Sequence, residues 1–241
     1  MAPTSLFSVF SSLIALTLLP QRSLCQDSTN YTTTAYHDPV TGLDMQRFQD
    51  TASNLSFAIA VPDCANKTDF IGQLTFPLNG SAGWGGFSVN QNMVGPLLFA
   101  AWSDGKNVIS SFRQAPSYDY SPPETSGPFK ARAIAKGTSV NDTHLCYTFV
   151  CECCLDPTFG FQSNATMMGY ALSSKPVAGA EAPSGVLKYH DLGFGAFKAQ
   201  LDQAKVSQAD FDGVAGSAEA PLMPAANATA FNVTAAAGGG M

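Results

Sequence analysis

Charge is scarce in this chain: only 12% of its 241 residues are Asp, Glu, Lys or Arg, and 18 acidic side chains outnumber 12 basic ones. That balance argues against nucleic acid as a partner, because neutralising phosphates takes a surplus of cations. Histidine is scarcer still, with three in the chain. No H-E-x-x-H zinc motif, G-x-S-x-G nucleophile elbow, phosphate-binding glycine loop or dinucleotide fingerprint occurs. The common signatures of hydrolysis and hydride transfer are therefore missing. Long apolar runs are also missing, apart from Leu6 to Leu19, which is short for a membrane span.

That run reads as part of a secretory signal over residues 1–25. No acidic residue precedes it, and Pro20, Gln21 and Arg22 follow, with small or polar residues up to Gln26. Cleavage beside Cys25 would remove Arg22 and shift the net charge from −6 to about −7. Eight Asn-X-Ser/Thr sequons, at Asn30, Asn54, Asn66, Asn79, Asn141, Asn164, Asn227 and Asn232, suit a glycosylated, extracellular protein. Cysteine usage agrees with export. Four of the six cysteines (Cys25, Cys64, Cys146, Cys151, Cys153, Cys154) crowd into CYTFVCECC, and no second cluster at zinc-finger spacing accompanies them. Disulfides are expected rather than a zinc site.

From Tyr36 to Leu201 short apolar runs alternate with Gly, Pro, Asn and Asp: LSFAIAVP, FIGQLTFPL, GGFSVN, PLLFAAW, VISSFRQA, FKARAIA, LCYTFVC and MMGYALSS. Each has strand length, and Asp104-Gly105 between two of them signals a hairpin. Only FKAQLDQAK, near the end, has a helical period. An all-β, antiparallel sandwich is predicted over residues 27–208. Beyond Ala209 the chain turns Ala-, Gly- and Pro-rich, which predicts a flexible, glycosylated tail over 209–241.

Two residues invite a chemical reading. His190 follows the strand-like VLKY and precedes Asp191 and GFGAF, where backbone could approach a flat ligand. A hydrogen-bonded structural histidine is the competing account. Met93 lies in the polar loop SVNQNMVGP, either as a cap on the core or as a soft ligand for iron or copper. His37 and His144 read as exposed, and Met167 and Met168 as core.

WGGFSVNQNM, followed by PLLFAAWSDGKNVISSFRQA, resembles the cytochrome domain of cellobiose dehydrogenase. Trp84, Met93, Trp102 and the Ser110-Ser111-x-Arg113 strand carry the likeness, which continues through THLCYTFVCECC, MMGYALSS and YHDLGFGAF, covering about Tyr36 to Lys205. The resemblance implies a DOMON-like β-sandwich holding haem b non-covalently, in keeping with the absence of C-x-x-C-H. It implies Met93 and His190 as the axial ligands, Tyr118 on a propionate, and a Cys151–Cys154 disulfide. Departures from the family pattern are Asn90, Gln91 and Asn92 in place of Gly-Gly-small before the Met, Gln114 in place of a tyrosine, and the additional Cys146 and Cys153.

The implied function is single-electron transfer by a secreted monomer. No flavin-binding pattern occurs in the chain. A separate flavin dehydrogenase is accordingly the expected donor, and a copper polysaccharide monooxygenase or metal ion the expected acceptor. The alternative is a haem-free sandwich that binds carbohydrate on Trp84, Trp102 or tyrosines, or serves as a cell-surface module.

Overall fold

The computed structural model describes residues 31–64, 68–163 and 166–238. The expected signal segment and the sequons at Asn30, Asn66 and Asn164 lie outside the described residues. The strands in chain order begin with β1 (Thr34–His37), β2 (Asp44–Gln49), β3 (Ser56–Pro62), β4 (Phe70–Pro77) and β5 (Trp84–Ser88). Next come β6 (Leu98–Ser103), β7 (Val108–Arg113), β8 (Thr125–Ser126), β9 (Lys130–Ala133) and β10 (Ser139–Val140). The last are β11 (His144–Glu152), β12 (Met167–Ser173), β13 (Gly193–Lys198), β14 (Lys205–Val206) and β15 (Thr229–Ala230).

They form an eight-stranded sheet in the order β1-β2-β3-β4-β11-β10, with β14 on β3 and β9 on β11, and a five-stranded sheet in the order β13-β12-β5-β6-β7. Phe57, Phe70 and Phe149 of the first sheet interdigitate with Phe87, Phe99 and Phe197 of the second in one buried cluster. Ring pairs bridge the two layers, as in Phe57–Phe87 at 4.6 Å and Phe48–Phe197 at 4.3 Å. Each such ring contributes roughly 1.5–3 kcal/mol by burial, more than a typical net hydrogen bond. The β-sandwich expected from the alternating runs is therefore an aromatic-cored one. Strand β4 reads as a nearly continuous apolar run because both its faces are covered. Phe70, Leu74 and Phe76 point into the core, while Ile71 joins a second cluster on the outer face.

The Asp104-Gly105 turn closes the β6–β7 hairpin, with Asp104 accepting from the backbone N–H groups of Lys106 and Asn107 at 2.8 and 2.6 Å. FKAQLDQAK forms no α-helix: Phe197 and Lys198 belong to β13, Leu201–Gln203 make a single 3-10 turn, and Lys205–Val206 adds as β14 to β3. Its buried residues, Phe197, Ala199 and Ala204, answer to tertiary pairing rather than to the helical period.

Residues 209–238 do not trail from the sandwich as the sequence suggested. Helix α1 (Gln208–Ala215) buries Phe211 on the outer face of the large sheet beside Met45, Ala58 and Val150. Strand β15 pairs in parallel with β8, and a short helix, α2 (Val233–Gly238), follows. The Ala/Gly/Pro average of this stretch conceals two apolar anchors, Phe211 and Phe231.

Candidate functional site

The outer face of the five-stranded sheet positions the site. Strand alternation puts Trp84, Gly86 and Ser88 of β5 on this face, opposite Trp102, Ala100 and Leu98 of β6 and Ser173, Ala171 and Gly169 of β12. Across β12, Ala171 and Gly169 face Phe194 and Ala196 of β13. The middle of the sheet is thus floored by glycine, alanine and serine. Gly86 is required there: a Cβ would stand 2.3 Å from the Phe99 carbonyl oxygen. Loop residues Val177 and Leu187 cover the Trp102 side. Ala171 and Ala196 are half-buried, and Phe194 is 61% exposed.

His190 stands at the Trp84 end of this floor. Its ring lies 6.4 Å from the Trp84 ring and 4.5 Å from that of Phe194, and packs on Tyr189 at 4.3 Å. The segment is pinned on both sides. The Trp84 indole N–H donates to the Lys188 carbonyl at 2.8 Å, and the Ser173 hydroxyl donates to the Tyr189 carbonyl at 2.8 Å. Asp191 accepts from the Ser174 N–H at 2.9 Å and from the Ser174 hydroxyl at 2.8 Å, bonds that hold its carboxyl well below the usual range. Burial lowers the pKa of His190, favouring the neutral imidazole. Its Nδ1 is buried with no hydrogen-bond partner.

Met93 stands at the other end of the same strand. Its loop is closed at the base by Val89 N–H donating to the Leu97 carbonyl at 3.1 Å. The Ser88 hydroxyl donates to the Asn92 carbonyl at 2.9 Å, and Val94 bridges to Ala115, so both neighbours of the methionine are fixed. Met93 itself is half-buried and belongs to none of the three buried apolar clusters. The ends of β5 are four residue steps apart, roughly 13 Å at strand rise.

These residues fit a planar iron-porphyrin group. One thioether and one neutral imidazole are soft and borderline donors suited to iron. No cluster of three or more His, Cys, Asp or Glu able to hold a bare ion occurs among the described residues. A macrocycle would supply the equatorial ligands, lying over a floor of glycine, alanine and serine. The orphaned nitrogen of His190 fits a ring built to bind at one nitrogen and donate from the other.

Tyr118 lies 74% exposed on the 116–123 loop. That loop meets the His190 loop, since Leu187 N–H donates to Ser121 Oγ at 3.1 Å. Arg113, whose role sequence reasoning missed, ties the two loops together. The residue is 2% exposed, and its guanidinium donates to Ser111 Oγ at 2.8 Å, the Pro122 carbonyl at 3.0 Å and the Gly185 carbonyl at 2.7 Å, as well as to the Pro183 carbonyl. The Ser-Ser-x-Arg pattern was its signal, because an arginine in an otherwise apolar strand must find partners. Cys151 and Cys154 are joined by a disulfide, while Cys64, Cys146 and Cys153 are free. His37 and His144 are exposed, and Met168 is core with Met167 half-buried. Trp84 and Trp102 are 7% and 0% exposed, so neither can serve as the carbohydrate-stacking platform of the alternative reading.

The chain is similar to the cytochrome domain of Myriococcum thermophilum cellobiose dehydrogenase, at 25% identity and a TM-score of 0.69, covering 79% of this chain and 98% of that one. It is also similar in fold to the cytochrome b domain of pyranose dehydrogenase from Coprinopsis cinerea, at 22% identity and a TM-score of 0.67, covering 80% of this chain and all of the other. The family described as the cytochrome domain of cellobiose dehydrogenase matches residues 36–212. A sandwich with this floor, flanked by a fixed methionine loop and a fixed histidine, therefore belongs to the cellobiose dehydrogenase cytochrome-domain family, whose members bind haem b.

Proposed function

We propose that this protein is an extracellular b-type cytochrome that carries single electrons, with Met93 and His190 as the axial ligands of its haem. The observation that supports this most directly is the His190 imidazole, its buried Nδ1 without a hydrogen-bond partner from any other residue, held at one end of a glycine–alanine floor with the Met93 loop at the other. Haem b, when bound, supplies a one-electron iron couple.

The chain's own residues do the rest. Met93 and His190 would hold the iron, and two such ligands would leave it no open site for oxygen or peroxide. A thioether ligand would favour the reduced state and raise the potential relative to a second imidazole. Trp84, Ser173 and Asp191 orient the histidine; Ser88 and Ala115 hold the methionine loop. Tyr118, on the exposed 116–123 loop, would donate its hydroxyl to a propionate.

Tyr189, Leu192 and Phe194 are 68%, 46% and 61% exposed beside His190 and supply a small apolar contact patch, in keeping with the size of transient redox interfaces. The partners proposed for it are a flavin dehydrogenase as donor and a copper polysaccharide monooxygenase as acceptor. Export, and glycosylation at Asn54, Asn79, Asn141, Asn227 and Asn232, are supported by the exposure of all five side chains. No helix of the described residues is long and apolar enough to cross a membrane.

The test is the absorption spectrum of the purified protein, with Met93→Ala and His190→Ala alongside. Sharp α and β bands on reduction, lost in each variant while the sandwich stays folded, are expected. Wild-type spectra in both variants would refute the ligand assignment, and a protein that takes up no haem would refute the function.

A further inference from the structure

The Met93 loop is gripped from a side that the family match does not reach. Gln114, the residue after β7, is only 9% exposed and uses its whole amide. Its Nε2 donates to the Gly95 carbonyl at 2.7 Å and to the Asn232 carbonyl at 2.9 Å, while its Oε1 accepts from Asn232 N–H at 2.8 Å. Gly95, two residues past the methionine, has φ +98° and sits directly under helix α2; a Cβ there would be 2.6 Å from the Ala235 carbonyl oxygen. Phe231 anchors the segment between Phe129 and Phe159, at ring distances of 5.8 and 5.2 Å. Phe159 in turn accepts from Leu97 N–H at 2.9 Å at the base of the loop. Asn90, inside the loop, donates to the Gly160 carbonyl at 2.8 Å.

The loop is therefore enclosed by β7, the 159–160 turn and the C-terminal segment. The matched family region ends at residue 212, so 231–238 adds to it. Two of the clamp's side chains, Gln114 and Asn90, stand where the sequence departs from the family pattern.

We propose that Gln114 is a positioning residue which uses the C-terminal segment Phe231–Gly238 as a clamp on the Met93 loop, setting how firmly the thioether is held toward the iron. This rests on the reading of Met93 as an axial ligand. A loop fixed by several directional bonds loses little entropy when the sulfur binds, so the clamp favours the thioether-bound state.

The experiment compares the full chain with Gln114→Leu and with a chain ending at Ala228. In the haem-free proteins, amide exchange over 89–97 is expected to quicken about tenfold in each variant, the cost of roughly one buried hydrogen bond. In the haem-loaded proteins, the thioether–iron charge-transfer band of the ferric state is expected to weaken. The ferric-to-ferrous ratio should shift about tenfold toward ferric, about 59 mV for one electron. Wild-type exchange, band and potential in both variants would overturn the clamp alone. A wild-type protein without that band would overturn the Met93 reading, and the clamp with it.

Discussion

Trp84 and His190 meet edge-on, their rings 6.4 Å apart at 77°, while the Trp84 indole N–H holds the carbonyl two residues before the histidine at 2.8 Å. A tryptophan that is buried, and so unable to stack on a sugar, instead orients the residue proposed to bind iron. Trp84→Phe keeps an aromatic ring but removes the hydrogen bond, worth about 1 kcal/mol net, together with part of the buried indole packing. Haem should then pass to an apoglobin acceptor several-fold faster than from wild type. An unchanged transfer rate would show that the histidine segment does not depend on this bond.

Gly86→Ala places a methyl group against the Phe99 carbonyl in the middle of the five-stranded sheet. Strands β5 and β6 must separate to admit it, at a cost of about 1–3 kcal/mol. A lower urea midpoint with unchanged slope is expected, measured on the haem-free protein. An unaltered midpoint would mean that the floor is softer than its backbone contact indicates.

The free thiols should differ in reactivity. Cys64 is exposed, whereas burial pushes Cys146 and Cys153 above the ordinary thiol range. Mass-resolved alkylation of the native protein should modify Cys64 first. Cys151 and Cys154 should label only after reduction. Because that disulfide closes a short loop, removing it should cost no more than about 2 kcal/mol. Early labelling of Cys146 would contradict its place beside Thr75 and Gly137.

Asp38 gives the acid limb of stability a specific contributor. Burial alone would raise its pKa, but hydrogen bonds from Thr41, Val40 and Gln73 outweigh that and hold it below the ordinary value of 3.8. The folded state therefore binds this proton less readily than the unfolded chain does. Its stabilisation is complete above the unfolded pKa and is lost as pH falls through the folded one. Asp38→Asn should flatten the fall in melting temperature below pH 4 while lowering it near neutrality. An unchanged acid limb would assign that slope to other carboxylates.

Much of this molecule could be read in the chain. Strands such as VISSFR and MMGYALS declare themselves by alternation, and Asp104-Gly105 marks its hairpin. An apolar thioether in a polar loop and a histidine before glycines break the local rule and draw attention to Met93 and His190, but their reading as ligands comes from the family resemblance. The roles of Gln114, Arg113 and Asp191 were not legible, since each depends on residues many positions away: Asn232, Gly185 and Ser174. The packed C-terminal segment escaped notice because two phenylalanines in an alanine-rich stretch barely alter its composition. FKAQLDQAK misled by period, its pairing partners lying far upstream at Val61 and Pro62.

Arg113 has one more implication. Burial brings its pKa down only to about 10, so it stays cationic in any neutral or acidic medium, and its hydrogen bonds all go to neutral oxygens. The hydrogen bonds of the bracket between the Tyr118 and His190 loops thus contain no acid-labile group, and Glu124 is the carboxylate that faces the guanidinium. A cytochrome working in souring surroundings would keep those two loops in register where a histidine-built bracket would change its charge.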